Sequence, residues 1–469
     1  MPQDRNSRSR SRKIGNEERL VALGEAIDRR SGVTRNAKKK PVARSRKKRS
    51  RRRQTILRVG LAAAVVGIGF AGGSYFYAQW RFSKVTNVKC GEACLPTLPG
   101  QPFNILSIGS DSREGLTGAM AAQTGAGGVS GQRSDVIKII HVDPSVPSIS
   151  VISIPRDTLV TLQPPIAHYF ASKYQRINVN LVQGASITAG PQMLAKTITA
   201  NFGIPINHIV EVSFGGLANS VIALGGVYMS FPHTSADTYS GLRINTTGCQ
   251  HLTGMQALSV ARSRHFYYSP HNYQWTRANN LLVAQRGITP AGWVYDGTSD
   301  YGRIKRQDAF LRAMMLVAKK EYNPFTINDV LSKLPAGVQL DSSFSLNTLI
   351  GLAVKFHSYD PNAMQTYTLP VVSPGPNPYG SVLTVDQYAA QQLFVKIFGA
   401  TLVTETMPAP NSKLQSILPP HIPVPSTTST STTVAKHKHK HHGTTTTTAP
   451  PYNPYFFNPV PCSPGAKTK

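Results

Sequence analysis

The sequence predicts an α/β fold, with a central mixed β-sheet flanked by helices on both sides, one N-terminal transmembrane helix and disordered N- and C-terminal flanks. Three observations predict it. Residues 103–108, 136–142 and 149–154 are β-branched runs of core-strand length, each followed closely by Gly or Pro. Helical runs follow them, the strongest over 303–319, where neither Gly nor Pro interrupts and Ile304, Leu311, Met315 and Ala318 can face a core. Residues 59–78 form an unbroken apolar stretch that fits neither pattern.

The chain begins with a basic arm, residues 1–58, expected to be disordered and cytoplasmic. Of a formal charge of +29 over 469 residues, +16 lies in residues 1–60, which hold 21 Lys and Arg against five acids. The arm ends in a dense Arg/Lys run, 44–53, directly before the apolar stretch. Twenty residues are what an α-helix needs to cross a hydrocarbon core of about 30 Å. Tyr75, Phe76, Tyr77 and Trp80 close the stretch with interfacial aromatics, and the positive-inside rule leaves everything beyond it outside the cell membrane. A cleaved signal peptide is the competing reading; the arm is too long for an ordinary n-region and the apolar run long for an h-region. The arm's place beside the span favours anionic lipid headgroups, and no nucleic-acid partner is expected.

Residues 79–102 read as a stalk. Cys90 and Cys94 could close a small disulfide loop, and no second Cys or His pair has zinc-site spacing. Cys249 is either a free thiol or the partner of Cys462. Residues 103–400 read as one domain with its core motifs in 103–319. A helix over 191–201 opens with Pro at its first turn, another over 217–224 ends at Gly225-Gly226, and a strand follows at 227–231. Helical runs at 346–356 and 385–398 around a strand at 365–369 complete the same domain. Residues 401–469 are a Pro/Thr/His-rich disordered tail whose Lys/His tract, 436–442, suits anionic wall polymer better than a metal, because the lysines repel a cation.

The chemistry lies in scattered acid-arginine clusters: Ser110 to Arg113, Arg133 to Asp135, Pro155 to Asp157, Ala261 to Arg264 and Asp300 to Gln307. Arginine forks hold phosphate oxygens bidentately, and carboxylates hold a hard cation that screens them. Most clusters sit where a strand ends or a helix begins, the places where α/β sheets position ligand groups. Asp300 can N-cap the helix that follows, and Arg303 and Gln307 share one of its faces with Arg306 beside them. Together the clusters suggest a metal-bound pyrophosphate.

The order of these motifs resembles the LytR-CpsA-Psr family of cell-wall glycopolymer ligases. The resemblance rests on Asn104-Ile105-Leu106-Ser107-Ile108-Gly109-Ser110-Asp111-Ser112-Arg113, Arg133-Ser134-Asp135-Val136, Val151 to Thr158, Arg176-Ile177-Asn178, Gly203 to His208, Gly248 to Gly254, Ala257 to Arg264 and Asp300 to Gln307. It implies an extracytoplasmic phosphotransferase that moves a glycopolymer from a polyprenyl-pyrophosphate carrier to a peptidoglycan hydroxyl. It further implies that Asp111 and Asp135 hold Mg²⁺, with Mn²⁺ as an alternative, and that Arg113, Arg133, Arg156, Arg262, Arg264, Arg303, Arg306 and Gln307 grip the pyrophosphate. Asp157 is a candidate general base or a group that orients Arg156. Met193, Leu194, Ile198, Phe202, Val221 and Leu224 could line a lipid slot between helices and sheet, with packing in a plain core the default reading of each.

The sequence departs from the family pattern in a Gly/Ala-rich insertion, 115–131, and in a segment, 266–299, rich in Tyr and Trp, suited either to glycan contact or to packing on itself. Two other classes of function are open to the sequence: a non-catalytic membrane-anchored regulator of the transcriptional-attenuator kind, and a protein that binds or hydrolyses polyprenyl pyrophosphate.

Overall fold

The computed structural model describes residues 44–112, 116, 134–181, 190–320, 324–333, 337–400, 402 and 457–463. Two compact units result, divided between Ser74 and Tyr75. Helix α1 spans Arg44–Phe82, and within it Arg53–Phe82 is long and apolar enough to cross a membrane. From Tyr75 onward the chain belongs to the second unit, where the Tyr75 and Tyr77 hydroxyls donate to Asn347 and Asn328 at 2.9 and 3.0 Å.

The second unit is α/β. In chain order its elements are β1 (Thr86–Val88), β2 (Phe103–Ser110), β3 (Ser134–Asp143), β4 (Ser148–Ile154), β5 (Leu159–Thr161), β6 (Tyr174–Arg176), α2 (Pro191–Phe202), β7 (His208–Val212), α3 (Phe214–Ala223), β8 (Val227–Phe231), β9 (Thr234–Asp237), β10 (Leu242–Ile244), β11 (Gly248–Leu252), α4 (Gly254–Arg262), β12 (Tyr267–Ser269), α5 (Arg277–Arg286), β13 (Val294–Tyr295), α6 (Ser299–Lys320), α7 (Pro324–Lys333), β14 (Val338–Asp341), α8 (Leu346–Lys355), β15 (Gln365–Thr368), β16 (Val371–Val372), β17 (Thr384–Val385), α9 (Gln387–Phe398) and β18 (Val460–Pro461). Seven strands form the central sheet in the order β1-β14-β7-β2-β3-β4-β15. It is mixed: β2 runs antiparallel to β3 and parallel to β7, and β3 runs antiparallel to β4.

Alternation along the strands assigns the two faces. Leu106, Ile108, Ile137, Ile139, Ile152 and Ile154 face one layer and pack on Met193, Leu194, Ile198 and Phe202 of α2 and on Ala390 and Phe394 of α9. Helix α2 starts at Pro191 and stops at Gly203, whose φ of 67° lies in the left-handed region that glycine takes at least cost. On the other face Phe103, Ile105 and Val142 pack with Val338, Leu340 and Phe344. Toward the C-terminal end of β2 this face tapers to Ser107 and Gly109, which leaves room beneath the layer of α3, α4 and α6.

Two expected boundaries differ. The stretch read as a stalk is built into the domain: β1 pairs in parallel with β14, Val85, Val88 and Cys90 are buried, and Cys90 is bonded to Cys94. Its apolar side chains complete a sheet edge. The tail is also not uniformly outside the fold. Cys462 is disulfide-bonded to Cys249, β18 pairs with β8, and the Phe457 ring stacks on Tyr268 at 4.7 Å. The basic arm before residue 44, the 117–131 part of the Gly/Ala-rich insertion and the Lys/His tract lie outside the described residues.

Candidate functional site

A cavity of about 830 Å³ opens between the tapered face of the sheet and the helices. Its polar end gathers Ser110, Asp111, Arg262, Arg264, Arg303 and Gln307; its other walls carry Val136, Ile140, Val212, Phe214, Leu217, Leu258, Phe310, Leu311 and Met314. The sheet register explains the polar end. Ser110 pairs with Ser134 across a bulge at Gly109/Ser110, so Asp111 leaves β2 where Ser134 and Asp135 open β3. Ile137 pairs with Ile154, so Pro155-Arg156-Asp157 leaves β4 at the same sheet end.

Helices α4 and α6 bring the second set of groups. Gln256 accepts the Thr253 N–H at 3.0 Å and caps α4, which runs to Arg262. The turn after it is fixed by one buried carboxylate. Asp237 Oδ2 accepts from the Ser263 hydroxyl at 2.7 Å and from the Arg264 and His265 N–H groups at 2.9 Å each. From α6, Gln307 donates to the Ala261 carbonyl at 2.9 Å. Asp300 reaches Arg303 Nη2 at 2.6 Å and Arg264 Nε at 3.5 Å, which holds those two guanidiniums together. The Arg262 guanidinium lies 4.6 Å over the Phe214 ring.

The floor is polar in a way that strand patterning hides. Ser107, Lys138 and Ser153 are cross-strand neighbours on β2, β3 and β4. Lys138 donates to Ser153 Oγ and to Asp308 Oδ1, both at 2.6 Å, with its side chain 7% exposed. A lone lysine amid β-branched residues is the signal that could have exposed this pair, since a buried charge requires a partner. Asp237, Tyr239 and His265 also line the cavity and were not among the expected site residues.

Several expected site residues stand elsewhere. Arg306 is fully buried and is a strut, not a cavity group: it donates to Asp296 at 2.8 Å, to Asn458 at 2.7 Å and to the Ser263 carbonyl at 3.1 Å, and lies 4.4 Å over the Phe266 ring. Burial pushes its pKa below the ordinary arginine value, against the raising influence of Asp296. Arg156 and Asp157 do not line the cavity; Asp157 sits 3.7 Å from Arg156 Nε and 3.6 Å from Arg176 Nη1. Met193, Leu194, Ile198 and Phe202 fill the core on the opposite sheet face, Val221 fills a second core beneath α6, and Leu224 caps α3; none of the six lines the cavity. Arg113 and Arg133 lie outside the described residues, as does the Asp135 side chain.

The aromatic segment between the last two clusters packs on itself. Trp275 and Trp293 meet edge to face at 4.7 Å in a core shared with Tyr267 and Val283, and Trp275 Nε1 donates to Asn280 at 2.6 Å.

An α/β domain in which residues of three acid-arginine clusters line one cavity with apolar walls defines the class, and the family model makes it specific. The chain belongs to the LytR_cpsA_psr family, whose model matches residues 80–269 and 294–397 and breaks over the aromatic segment. It is 27% identical over 341 residues to the Corynebacterium glutamicum protein named probable cell wall biosynthesis protein LcpB, covering 72% of this chain and 70% of that one. It is 28% identical over 227 residues to the polyisoprenyl-teichoic acid–peptidoglycan teichoic acid transferase TagU of Halalkalibacterium halodurans, covering 45% and 64% respectively. Among solved structures, a LytR-Csp2A-Psr enzyme from Actinomyces oris aligns at 20% identity and a TM-score of 0.47, covering 67% of this chain and 95% of that one.

Proposed function

We propose that this chain is a cell-wall glycopolymer transferase, anchored by α1 with the α/β domain outside the membrane, that passes a glycopolymer from a polyprenyl-pyrophosphate carrier to a peptidoglycan hydroxyl. The observation that carries the proposal is the cavity, whose arginine-rich end is continuous with apolar walls, because a lipid pyrophosphate is itself an anionic head on an apolar chain. The relatives named for cell-wall biosynthesis and teichoic acid transfer support the same reading.

In this reading Arg262, Arg264 and Arg303 bind the pyrophosphate oxygens and offset charge that develops during transfer, with Gln307 as a neutral donor. Such chemistry is mostly positioning and electrostatic stabilisation, with little covalent work for the protein. The N-terminus of α3, where Ser213 and Phe214 line the cavity, adds a positive dipole end. Phe214, Leu217, Phe310, Leu311 and Met314 seat the first part of the lipid.

The donor set suits Mg²⁺. Asp111 lines the cavity and Asp135 opens the adjacent strand, and two carboxylates completed by substrate phosphate oxygens are a usual way to hold this ion. Asp111 and Asp135 would hold it, and it would supply charge neutralisation at the phosphates. Asp157, paired with two arginines, serves as an orienting group in preference to a base.

The test is to incubate the full chain in detergent with a lipid-linked oligosaccharide, peptidoglycan and Mg²⁺, and to follow polyprenyl phosphate and wall-bound glycan. Both should appear, and Arg303→Ala or Asp111→Ala should abolish both. Release unaffected by either change would sink the assignment, and polyprenyl phosphate without wall-bound glycan would make the protein a hydrolase. Deleting residues 1–43 should leave transfer intact; loss of the cellular phenotype with transfer preserved would favour a regulator.

A further inference from the structure

Three aromatic side chains from separate segments meet outside the arginine end of the cavity. Tyr239 follows β9, His265 follows α4, and Tyr295 closes β13. The His265 ring lies between the other two, 4.7 Å from Tyr239 and 6.3 Å from Tyr295, and it is nearly parallel to Tyr295 at 17°. They are not core residues: Tyr239 is 58% exposed and Tyr295 38%. Tyr239 and His265 line the cavity beside Arg264, so the exposed rings continue the cavity wall outward.

Their spacing is fixed from below. Asp237 accepts the Tyr239 N–H through Oδ1 at 2.9 Å and the His265 N–H through Oδ2 at 2.9 Å, so one buried carboxylate sets two of the three positions. Tyr295 is set by strand pairing with Tyr267, whose ring is 5.1 Å away and 5.4 Å from Trp275. The aromatic segment that interrupts the family match thus does not meet ligand with its tryptophans; it backs the strand that presents Tyr295. Burial, then Asp296 and Asp237, push the Tyr295 phenol up from its ordinary value.

We propose that Tyr239, His265 and Tyr295 form a sugar platform that receives the pyranose joined to the phosphate group held by Arg262, Arg264 and Arg303. Pyranoses present a flat C–H face that covers an aromatic ring and hydroxyls that bond to phenol and imidazole edges. Exposed aromatic patches at the rim of a polar cleft mark such contacts. The proposal rests on the carrier reading above and adds to it the residues that distinguish a glycosylated carrier from a bare one.

Equilibrium binding of two probes to the full chain in detergent tests it: geranylgeranyl pyrophosphate and its glucosyl diester. The wild type should bind the glucosyl probe about tenfold more tightly, the equivalent of one good stacking contact. Tyr239→Ala/Tyr295→Ala should remove that preference and leave affinity for the bare probe unchanged, while Tyr239→Phe/Tyr295→Phe should retain most of it. A wild type that binds both probes equally, or an alanine pair that weakens both equally, overturns the platform and leaves the carrier reading standing. A wild type that binds neither probe overturns the carrier reading and the platform with it.

Discussion

Arg306 and Arg303 are three residues apart on α6, and the structure gives them different roles that one pair of substitutions separates. Arg306 and Asp296 are 0% exposed and 2.8 Å apart. Removing one member of a buried ion pair costs about 3–5 kcal/mol, because the other charge is left without a partner in a medium that solvates it poorly. Arg306→Met would leave Asp296 in that state and would strip Asn458 and the Ser263 carbonyl of a donor. For a cooperative unit of roughly 300 residues, with an unfolding entropy of about 2.1 cal/mol/K per residue, that cost lowers Tm by about 5–8 °C. Asp296→Asn should also destabilise, and the double variant should lose less than the sum of the two.

The assay is thermal unfolding of the full chain in detergent, measured beside affinity for geranylgeranyl pyrophosphate. Arg306→Met should melt early and, well below its Tm, bind the probe as the wild type does. Arg303→Met should lose affinity with the smaller thermal shift. An Arg306→Met chain that melts with the wild type and no longer binds the probe would refute the strut and return Arg306 to the phosphate grip expected from sequence.

Asp341 sets an acid limit. Burial alone would raise its carboxyl, but hydrogen bonds from His208, Ser343 and the Ile209 N–H outweigh burial and hold it below the ordinary value. A depressed folded pKa contributes stability that is present above the unfolded value near 3.9 and is lost as pH falls through the folded pKa, so Asp341→Asn should flatten the loss of Tm below about pH 4; an unchanged acid limb would sink this assignment. Phe457 is 5% exposed against Phe266 and Tyr268, so Phe457→Ala should cost about 3–5 kcal/mol in unfolding experiments, whereas a tail without structural role predicts no shift. Gly216→Ala drives a Cβ into the Gly337 carbonyl, which should force α3 away from the turn before β14 and cost about 1–3 kcal/mol; a wild-type Tm would show that the turn yields freely.

The sheet was legible because its strands are β-branched runs punctuated by Gly and Pro, and α6 because nothing breaks its periodicity. The pairing of Arg303 with Gln307 was legible too, since positions four apart share a helix face and both line the cavity. Arg306 was not, because its partners Asp296 and Asn458 are distant in sequence or lie beyond a low-complexity stretch, and residue type alone does not separate a buried arginine from a ligating one. Met193, Leu194, Ile198, Phe202 and Val221 take the core places that are their default reading, and sequence could not decide between core and lipid slot for a similar reason. Leucine and isoleucine look alike in a core and in a cavity wall; what distinguishes them here is the taper of β2 through Ser107 and Gly109, which opens space on the face opposite α2.

That taper also explains why the polar groups can lie so deep. A sheet face that stayed large to its end would pack against α6 as α2 packs against the other side, and Lys138 would have to be apolar. Because the face narrows, α6 crosses a gap, and Asp308 spans it to Lys138 while Gln307, the residue before it, and Arg303, one helical turn before Gln307, face the opening. The Lys138–Asp308 pair therefore fixes the height of α6 above the sheet at the residue next to Gln307. Asp237 does the same work laterally, because the N–H groups of Tyr239, Arg264 and His265 all end on its two oxygens. Two buried carboxylates outside the acid-arginine clusters thus position Arg264 and the Arg303–Gln307 face, and motif spacing could not show them because each acts on partners far along the chain.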